Sequence, residues 1–440
     1  MIDGSPFNPR RLARAEGMNA FRHRNYRLFF GGQAISLIGT WMQQVAQAWL
    51  VLELTHDPIW LGIVAAAQYI PVMLLGLFAG VAADALPKRR VLLGTQASMM
   101  VLAAVLAALV ISGVVEVWMI LGLAVLLGIA NAVDMPVRQS FAVELVGRDE
   151  VSGAVALNSA MFNAARVVGP AAAGLAIGAF GVGPAFAINA VSFLAVIVGL
   201  LMMDDELLHV PTRIARPESA RAVVGHLKEG LAYVRQTPVV LLAVVVIGTV
   251  ATVGMNFSVL IPAFAAEDLA SDASGYGFLM AASGIGSLLA SMRLVFGGRP
   301  RPLRLVTGAL LLGAASIALA FTRVFPVAIV LMLLAGFGSV LMAATGNTTI
   351  QLAVPDHLRG RVMSVYTTAF SASVPIGGLA MGAIASSFGV ANAIALGGVL
   401  TVLISAGALA WVRGRDLRAI PMPAAEPRAA GTAPSVARTR

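Results

Sequence analysis

Apolar runs, each close to the about 20 residues a helix needs to cross the hydrocarbon of a bilayer, recur along nearly the whole chain. Hydrocarbon offers no partner to a free N–H or C=O, so runs of this length must close their hydrogen bonds internally as helices. They fall at about 28–54, 59–83, 91–113, 117–138, 153–179, 183–203, 239–264, 275–297, 303–322, 325–346, 362–387 and 390–412. The expected fold is therefore an all-α membrane protein of twelve transmembrane helices. Hydrophobic residues make up 59% of the chain and charged residues 12%, against about 25% charged in an ordinary soluble domain. The 45 Gly and 21 Pro suit membrane helices, where neighbours re-satisfy freed backbone groups and small residues permit close packing. Cysteine is absent, which excludes disulfides and thiolate metal sites. The N-terminal segment is polar and arginine-rich up to Arg27, and the first apolar run is too long for a cleavable signal.

Charge tests the helix count. With a cytoplasmic N-terminus, all but two of the 30 Lys and Arg fall on the predicted cytoplasmic side, as the positive-inside rule demands. The exceptions are Arg166, inside a span, and Arg323, on an outer loop. Outer loops carry Glu53, Asp57, Glu116, Glu267, Asp268 and Asp272 instead. One missed helix would scramble this alternation. The formal net charge of +9 thus has a topological origin, and no single basic patch suggests nucleic acid. The expected setting is the plasma (inner) membrane of a bacterium, with both termini cytoplasmic.

The chain divides into a cytoplasmic segment 1–27, a six-helix bundle 28–203, a cytoplasmic linker 204–238, a second six-helix bundle 239–412 and a disordered tail 413–440. Within the linker, Val223, Leu227, Leu231 and Val234 share one face of a predicted amphipathic helix at the membrane interface. An internal repeat relates the halves. Asp149-Glu150-Val151-Ser152-Gly153 aligns with Asp356-His357-Leu358-Arg359-Gly360, and Gly178-Ala179-Phe180-Gly181-Val182 with Ser386-Ser387-Phe388-Gly389-Val390. The two bundles are therefore expected to be pseudo-symmetric.

Between spans 2 and 3 the chain reads Gly80-Val-Ala-Ala-Asp84-Ala-Leu-Pro-Lys88-Arg89-Arg90. This resembles the signature loop of the major facilitator superfamily, whose halves are parallel repeats about an axis along the membrane normal. Four further segments resemble its enterobactin-exporter-like and drug:proton antiporter branch, the transmembrane secretion effectors. They are Phe21 to Arg27 leading into Gly31-Gly32-Gln33; Asp134-Met-Pro136-Val-Arg138-Gln139; Arg166-Val-Val-Gly169-Pro170 with Gly174; and Glu229-Gly230-Leu-Ala-Tyr233-Val-Arg235. Two positions depart from the pattern, Pro87 for Gly and Ala85 for Arg, and the corresponding second-half loop, Arg293 to Arg304, holds no acid. The resemblance implies that Asp84 docks at the N-terminus of span 11, near Gly360 and Arg361, when the cytoplasmic side closes. There it meets free N–H groups and the positive end of the helix dipole. Lys88, Arg89 and Arg90 complete that gate, with Asp134 as acidic member.

Arg166 lies deep in span 5, where an arginine costs about 2.5–3.5 kcal/mol unless it finds a partner or water. Spans 4 and 5 are antiparallel about Arg148, and depth along the two helices places Asp134 within an arginine's reach of Arg166. Asp134, Arg138 and Arg166 are accordingly the intramembrane charge set, either a structural ion-pair system or the coupling site. Gly169, Pro170 and Gly174 partly match a Gly-Pro-Gly antiporter motif and favour close packing and a bend. Polar stripes at helical spacing mark expected cavity walls: Gln33, Ser36, Thr40, Gln44 and Gln47 on span 1; Thr249, Thr252 and Asn256 on span 7; Thr367 and Ser371 on span 11. The alternative role of such stripes is hydrogen bonding between helices, at about 0.6 kcal/mol per contact. The 19 Met are read as packing rather than as an adaptable binding surface.

No catalytic triad, metal-ligand cluster or phosphate loop stands out, and the histidines at 23, 56, 209, 226 and 357 are scattered, so neither enzyme nor cofactor is expected. The expectation is a secondary transporter, working as a monomer, that exports an amphiphilic small molecule (drug, siderophore or secondary metabolite) against entering protons. A lipid flippase, an importer and a non-transporting receptor are the rivals.

Overall fold

A computed structural model describes residues 19–209, 220–296 and 301–414, with backbone alone for 77–85, 220–224, 226 and 295–296. No strand occurs among the described residues. The first bundle comprises α1 Arg24–Thr55, α2 Pro58–Ala85, α3 Lys88–Ile111, α4 Val117–Val146, α5 Val151–Phe180 and α6 Val182–Leu201. After a linker helix, α7 Ala220–Gln236, the second comprises α8 Pro238–Gly254, α9 Phe257–Glu267, α10 Ala273–Phe296, α11 Pro302–Phe321, α12 Phe325–Ala353, α13 Asp356–Phe388 and α14 Val390–Gly414. Eleven crossings are long and apolar enough to span a bilayer unaided, α8 and α9 together forming one of them. The remaining helix, α1, is 32 residues long and completes the twelve; Gln33, Gln43, Gln44 and Gln47 dilute its apolar character, and it packs on α5 and α6.

Several helices outrun the apolar runs. α4 continues to Val146 and α13 begins at Asp356, because a helix persists past the hydrocarbon where hydropathy no longer marks it. The seventh span is broken rather than continuous over 239–264. Met255 and Asn256 leave helical geometry, and α9 restarts at Phe257.

The repeat is visible as matching corners. α5 ends at Phe180 and α13 at Phe388, each followed by a glycine at positive φ, 78° at Gly181 and 89° at Gly389. Only glycine takes that conformation without a Cβ penalty. Both phenylalanines are largely exposed, at 75% and 71%.

The halves meet along two helix pairs, α2 with α13 and α5 with α10. Both seams are glycine-lined. A Cβ on Gly62 would fall 2.3 Å from the Gly378 carbonyl oxygen, and one on Gly277 would fall 2.6 Å from that of Pro170. These contacts lie toward the end of the bundle that carries Pro58, Gly181 and Gly389, hereafter the far end. α9, the far-end part of the seventh span, also packs on α1 and α2, whereas α8 packs on α11 to α14 of its own half. Among the described glycines, every contact between the halves lies from the far end to mid-helix, the last being Gly284 against the Arg166 backbone, while Gly360 at the opposite, linker end meets nothing within 4 Å; the space between the halves is therefore read as a cleft open at that end.

The linker ties to both halves. Asn25 exchanges hydrogen bonds with the Asp204 backbone at 2.7 and 3.1 Å, and the His209 N–H donates to the Glu144 carbonyl at 2.8 Å. α7 instead docks on α13 and the end of α12: Glu229 pairs with Arg361, Tyr233 donates to the Ala353 carbonyl at 3.2 Å, and Gly230 lies against the Arg361 backbone. Val234 is buried, while Leu227 and Leu231 remain exposed. The Val223 side chain, residues 210–219 and the tail from 415 lie outside the described residues.

Candidate functional site: a buried carboxylate and an arginine–aromatic cluster along the cleft

Asp134 sits mid-α4 at 1% exposure. Its Oδ1 accepts from Thr95 Oγ1 at 2.8 Å and Gln96 Nε2 at 2.9 Å, both on α3. Its Oδ2 lies 3.3 Å from Nε of Arg138, one turn along the same helix. Arg138 Nη1 in turn donates to Gln33 Oε1 on α1 at 3.2 Å. One carboxylate thus joins three helices of the first half. Asp134 Oδ2, Gln33 Nε2 and Gln96 Oε1 are buried with no hydrogen-bond partner among the described residues, Oδ2 having only its ion pair with Arg138, so the network is under-satisfied.

Asp134 therefore pairs with Arg138, not with Arg166. An i,i+4 neighbour on one helix needs no crossing to reach it. Arg166 instead places its guanidinium carbon 6.0 Å from the centroid of the Trp41 ring, and Trp41 meets Phe162 edge-on at 5.6 Å. Gly169 sets this up: its absent Cβ lets α5 approach α1 until that atom would stand 2.4 Å from Trp41 Cβ. Pro170 and Gly174 belong to the α5–α10 seam, where Ser274 donates to the Gly174 carbonyl at 2.9 Å.

The basic residues of the signature loop are likewise not gathered on Asp134. Lys88 pairs with Glu144 at 2.5 Å, Glu144 buried and Lys88 partly so. Arg89 caps the end of α6, donating to the Leu200 and Leu201 carbonyls at 2.7 and 3.0 Å, and pairs with Asp205 at 2.5 Å. Cations at a helix C-terminus complement its dipole. Arg90 is exposed; Gly80 and Asp84 are described by backbone alone, so the Asp84 carboxylate lies outside the described residues. In Lys88→Met, Glu144 keeps its burial but loses its counter-charge, at an expected cost of about 3–5 kcal/mol. The melting temperature of the purified protein should fall clearly, and Lys88→Met/Glu144→Leu should recover most of the loss.

The polar stripes divide. On α1, Gln44 is exposed and Thr40 half-buried, while Gln33, Ser36 and Gln47 are buried. Thr249 on α8 and Thr367 on α13 are exposed, and Thr252 and Ser371 half-buried. Asn256 is buried at the α8–α9 break, donating to the Thr252 carbonyl at 2.8 Å. Thr95 and Gln96, missed in the sequence, are a polar pair in the otherwise apolar run of span 3.

Two six-helix bundles meeting along paired seams, with a cleft between them and buried ion pairs within the first, define a transporter of the major facilitator fold. The profile of the transmembrane secretion effectors matches residues 15–437, and the chain belongs to that family. It is 31% identical over 356 residues to the multidrug efflux pump Tap of Mycolicibacterium fortuitum, covering 78% of this chain and 85% of the pump. It is 24% identical over 385 residues to the staphyloferrin A transporter of Staphylococcus aureus, covering 86% and 94% respectively. A bacterial homologue of the lysosomal transporter Spinster superposes with a TM-score of 0.67 at 14% identity, over 90% of this chain and 99% of that one, a likeness of fold.

Proposed function

We propose that this chain is a proton-coupled exporter of amphiphilic small molecules, working as a monomer by alternating access in a bacterial plasma membrane with both termini cytoplasmic. The observation that carries the coupling is Asp134: buried, ionisable, paired with Arg138 and hydrogen-bonded to α3, with Arg138 carrying the tie on to α1. A proton on Asp134 removes the counter-charge of Arg138 and weakens the tie to α1 and α3. Deprotonation restores it. A group whose partners change with its charge biases a two-state equilibrium. A proton moving down the membrane potential supplies about 2.3 kcal/mol per 100 mV.

The direction follows the relatives named as efflux proteins. The charge pattern supports a cytoplasmic linker end, with the cleft facing inward in this reading. The Gly80–Asp84 end of α2 is proposed to meet α13 near Gly360 and Arg361 when that side closes. In the open cleft Arg361 is held by Glu229 instead.

The test is transport in proteoliposomes, screening amphiphilic dyes with and without an imposed pH gradient. Gradient-driven movement against the proton flux is expected. Movement with the proton flux, or none that responds to the gradient, refutes the reading, and flipping of labelled lipid would favour a flippase.

A further inference from the structure

The coupling scheme leaves Arg166 unused, and its surroundings point to a ligand. On α5, Val155, Ser159, Phe162 and Arg166 fall within a narrow arc of the helix. Val155 and Phe162 on that arc are 54% and 47% exposed, yet Ala173 and Ile177, further along it, are buried. The opposite face, with Val168 and Leu175, is exposed as a lipid-facing surface should be. The arc thus lines the cleft, and Arg166 stands where the cleft closes toward the far end. α1 agrees. Exposed Gln44 lies nine residues from exposed Ile35, half a turn round the helix. Ile35 faces lipid beside α6, so Gln44, with Thr40 and Trp41 near it, faces inward.

The charge there is one-signed. Among the described residues no carboxylate lies within ion-pair distance of Arg166, and Asp134 is committed to Arg138. The second half offers no acid between Ala273 and Pro355, nor between Val239 and Ala266. The guanidinium rests on Trp41, a contact of order 0.5–2 kcal/mol that holds it without neutralising it. Phe162 presents an exposed ring against the same tryptophan. A planar cation on one member of an aromatic pair suits a planar anion. The guanidinium fork can bind a carboxylate through two parallel hydrogen bonds, while the rings take up the apolar body.

We propose that Arg166, Trp41 and Phe162 form an anion-binding subsite at the closed end of the cleft, and that the transported molecule is an anionic amphiphile, a carboxylate on an aromatic or similarly flat apolar body. This deepens the exporter reading and rests on it for the word transported. The binding itself needs neither a gradient nor movement.

The experiment compares 1-naphthoate with its neutral isostere 1-naphthamide, by equilibrium binding to the full-length protein in nanodiscs at neutral pH. Charge-assisted hydrogen bonds predict that the wild type prefers the carboxylate by about 10-fold or more. In Arg166→Gln that preference should fall to near parity while naphthamide affinity is kept. Arg166→Lys, which keeps the charge without the fork, should retain a reduced preference, and it decides the matter if the glutamine variant does not purify. Equal affinity of the wild type for both compounds overturns the proposal, as does a preference that survives unchanged in either variant. Carboxylate preference without any export supports the subsite and refutes the exporter reading, so the two failures are distinguishable.

Discussion

Gly277→Leu is expected to hold the far-end seam open and so deprive the protein of the state seen here. A Cβ at this position would stand 2.6 Å from the Pro170 carbonyl oxygen and 2.7 Å from Gly174 Cα. Those are backbone atoms and cannot swing aside as a side chain would. Overpacking of this kind costs about 1–3 kcal/mol, and 1–3 kcal/mol shifts an equilibrium about 5–150-fold. The helix itself tolerates leucine, so the strain falls on the contact between halves and not on the fold of either. The absence of cysteine makes this measurable, because Ser274→Cys would place one thiol in the chain, at the seam. Maleimide labelling of that thiol should be slow in the parent, at least ~10-fold faster with Gly277→Leu, and accompanied by a comparable loss of transport. Gly122→Leu, which meets nothing within 4 Å, should change neither. Unaltered labelling with full transport in Gly277→Leu would show that the seam does not gate.

The second large effect is expected of Asp134→Asn. Asparagine keeps the size and can still accept from Thr95 and Gln96, but it cannot release a proton or balance Arg138. Gradient-driven transport should fall about 5–150-fold, the range of one lost coupling free energy. Exchange of labelled for unlabelled substrate at equal pH requires no net proton movement and should survive far better. If the two activities decline together, along with the melting temperature, Asp134 is a structural member of the bundle and the coupling site lies elsewhere.

The sequence made the helix count legible because bilayer thickness and charge asymmetry act on every span independently. The Phe180-Gly181 and Phe388-Gly389 corners were legible because a helix end needing positive φ leaves a glycine behind. The partners of Asp134 were harder to read. Counting residues from a turn gives depth along two helices but not the direction in which each side chain points, so Asp134 and Arg166 matched in depth and yet face different neighbours. Thr95 and Gln96 gave no signal beyond being polar in an apolar run. Glu144 follows the apolar part of span 4, where hydropathy marks no burial, yet the helix continues and buries it against Lys88.

The interruption at Met255 and Asn256 has a mechanical consequence. A continuous rod tilts as a whole, so any motion at one end is imposed on the other. Cut in the middle, the seventh crossing becomes two levers about a pivot. α9 can stay clamped to α1 and α2 while α8 travels with α11 to α14, and the reverse once the far end opens. The pivot divides the crossing into a plug and a wall, and lets the plug be pulled without first moving the wall.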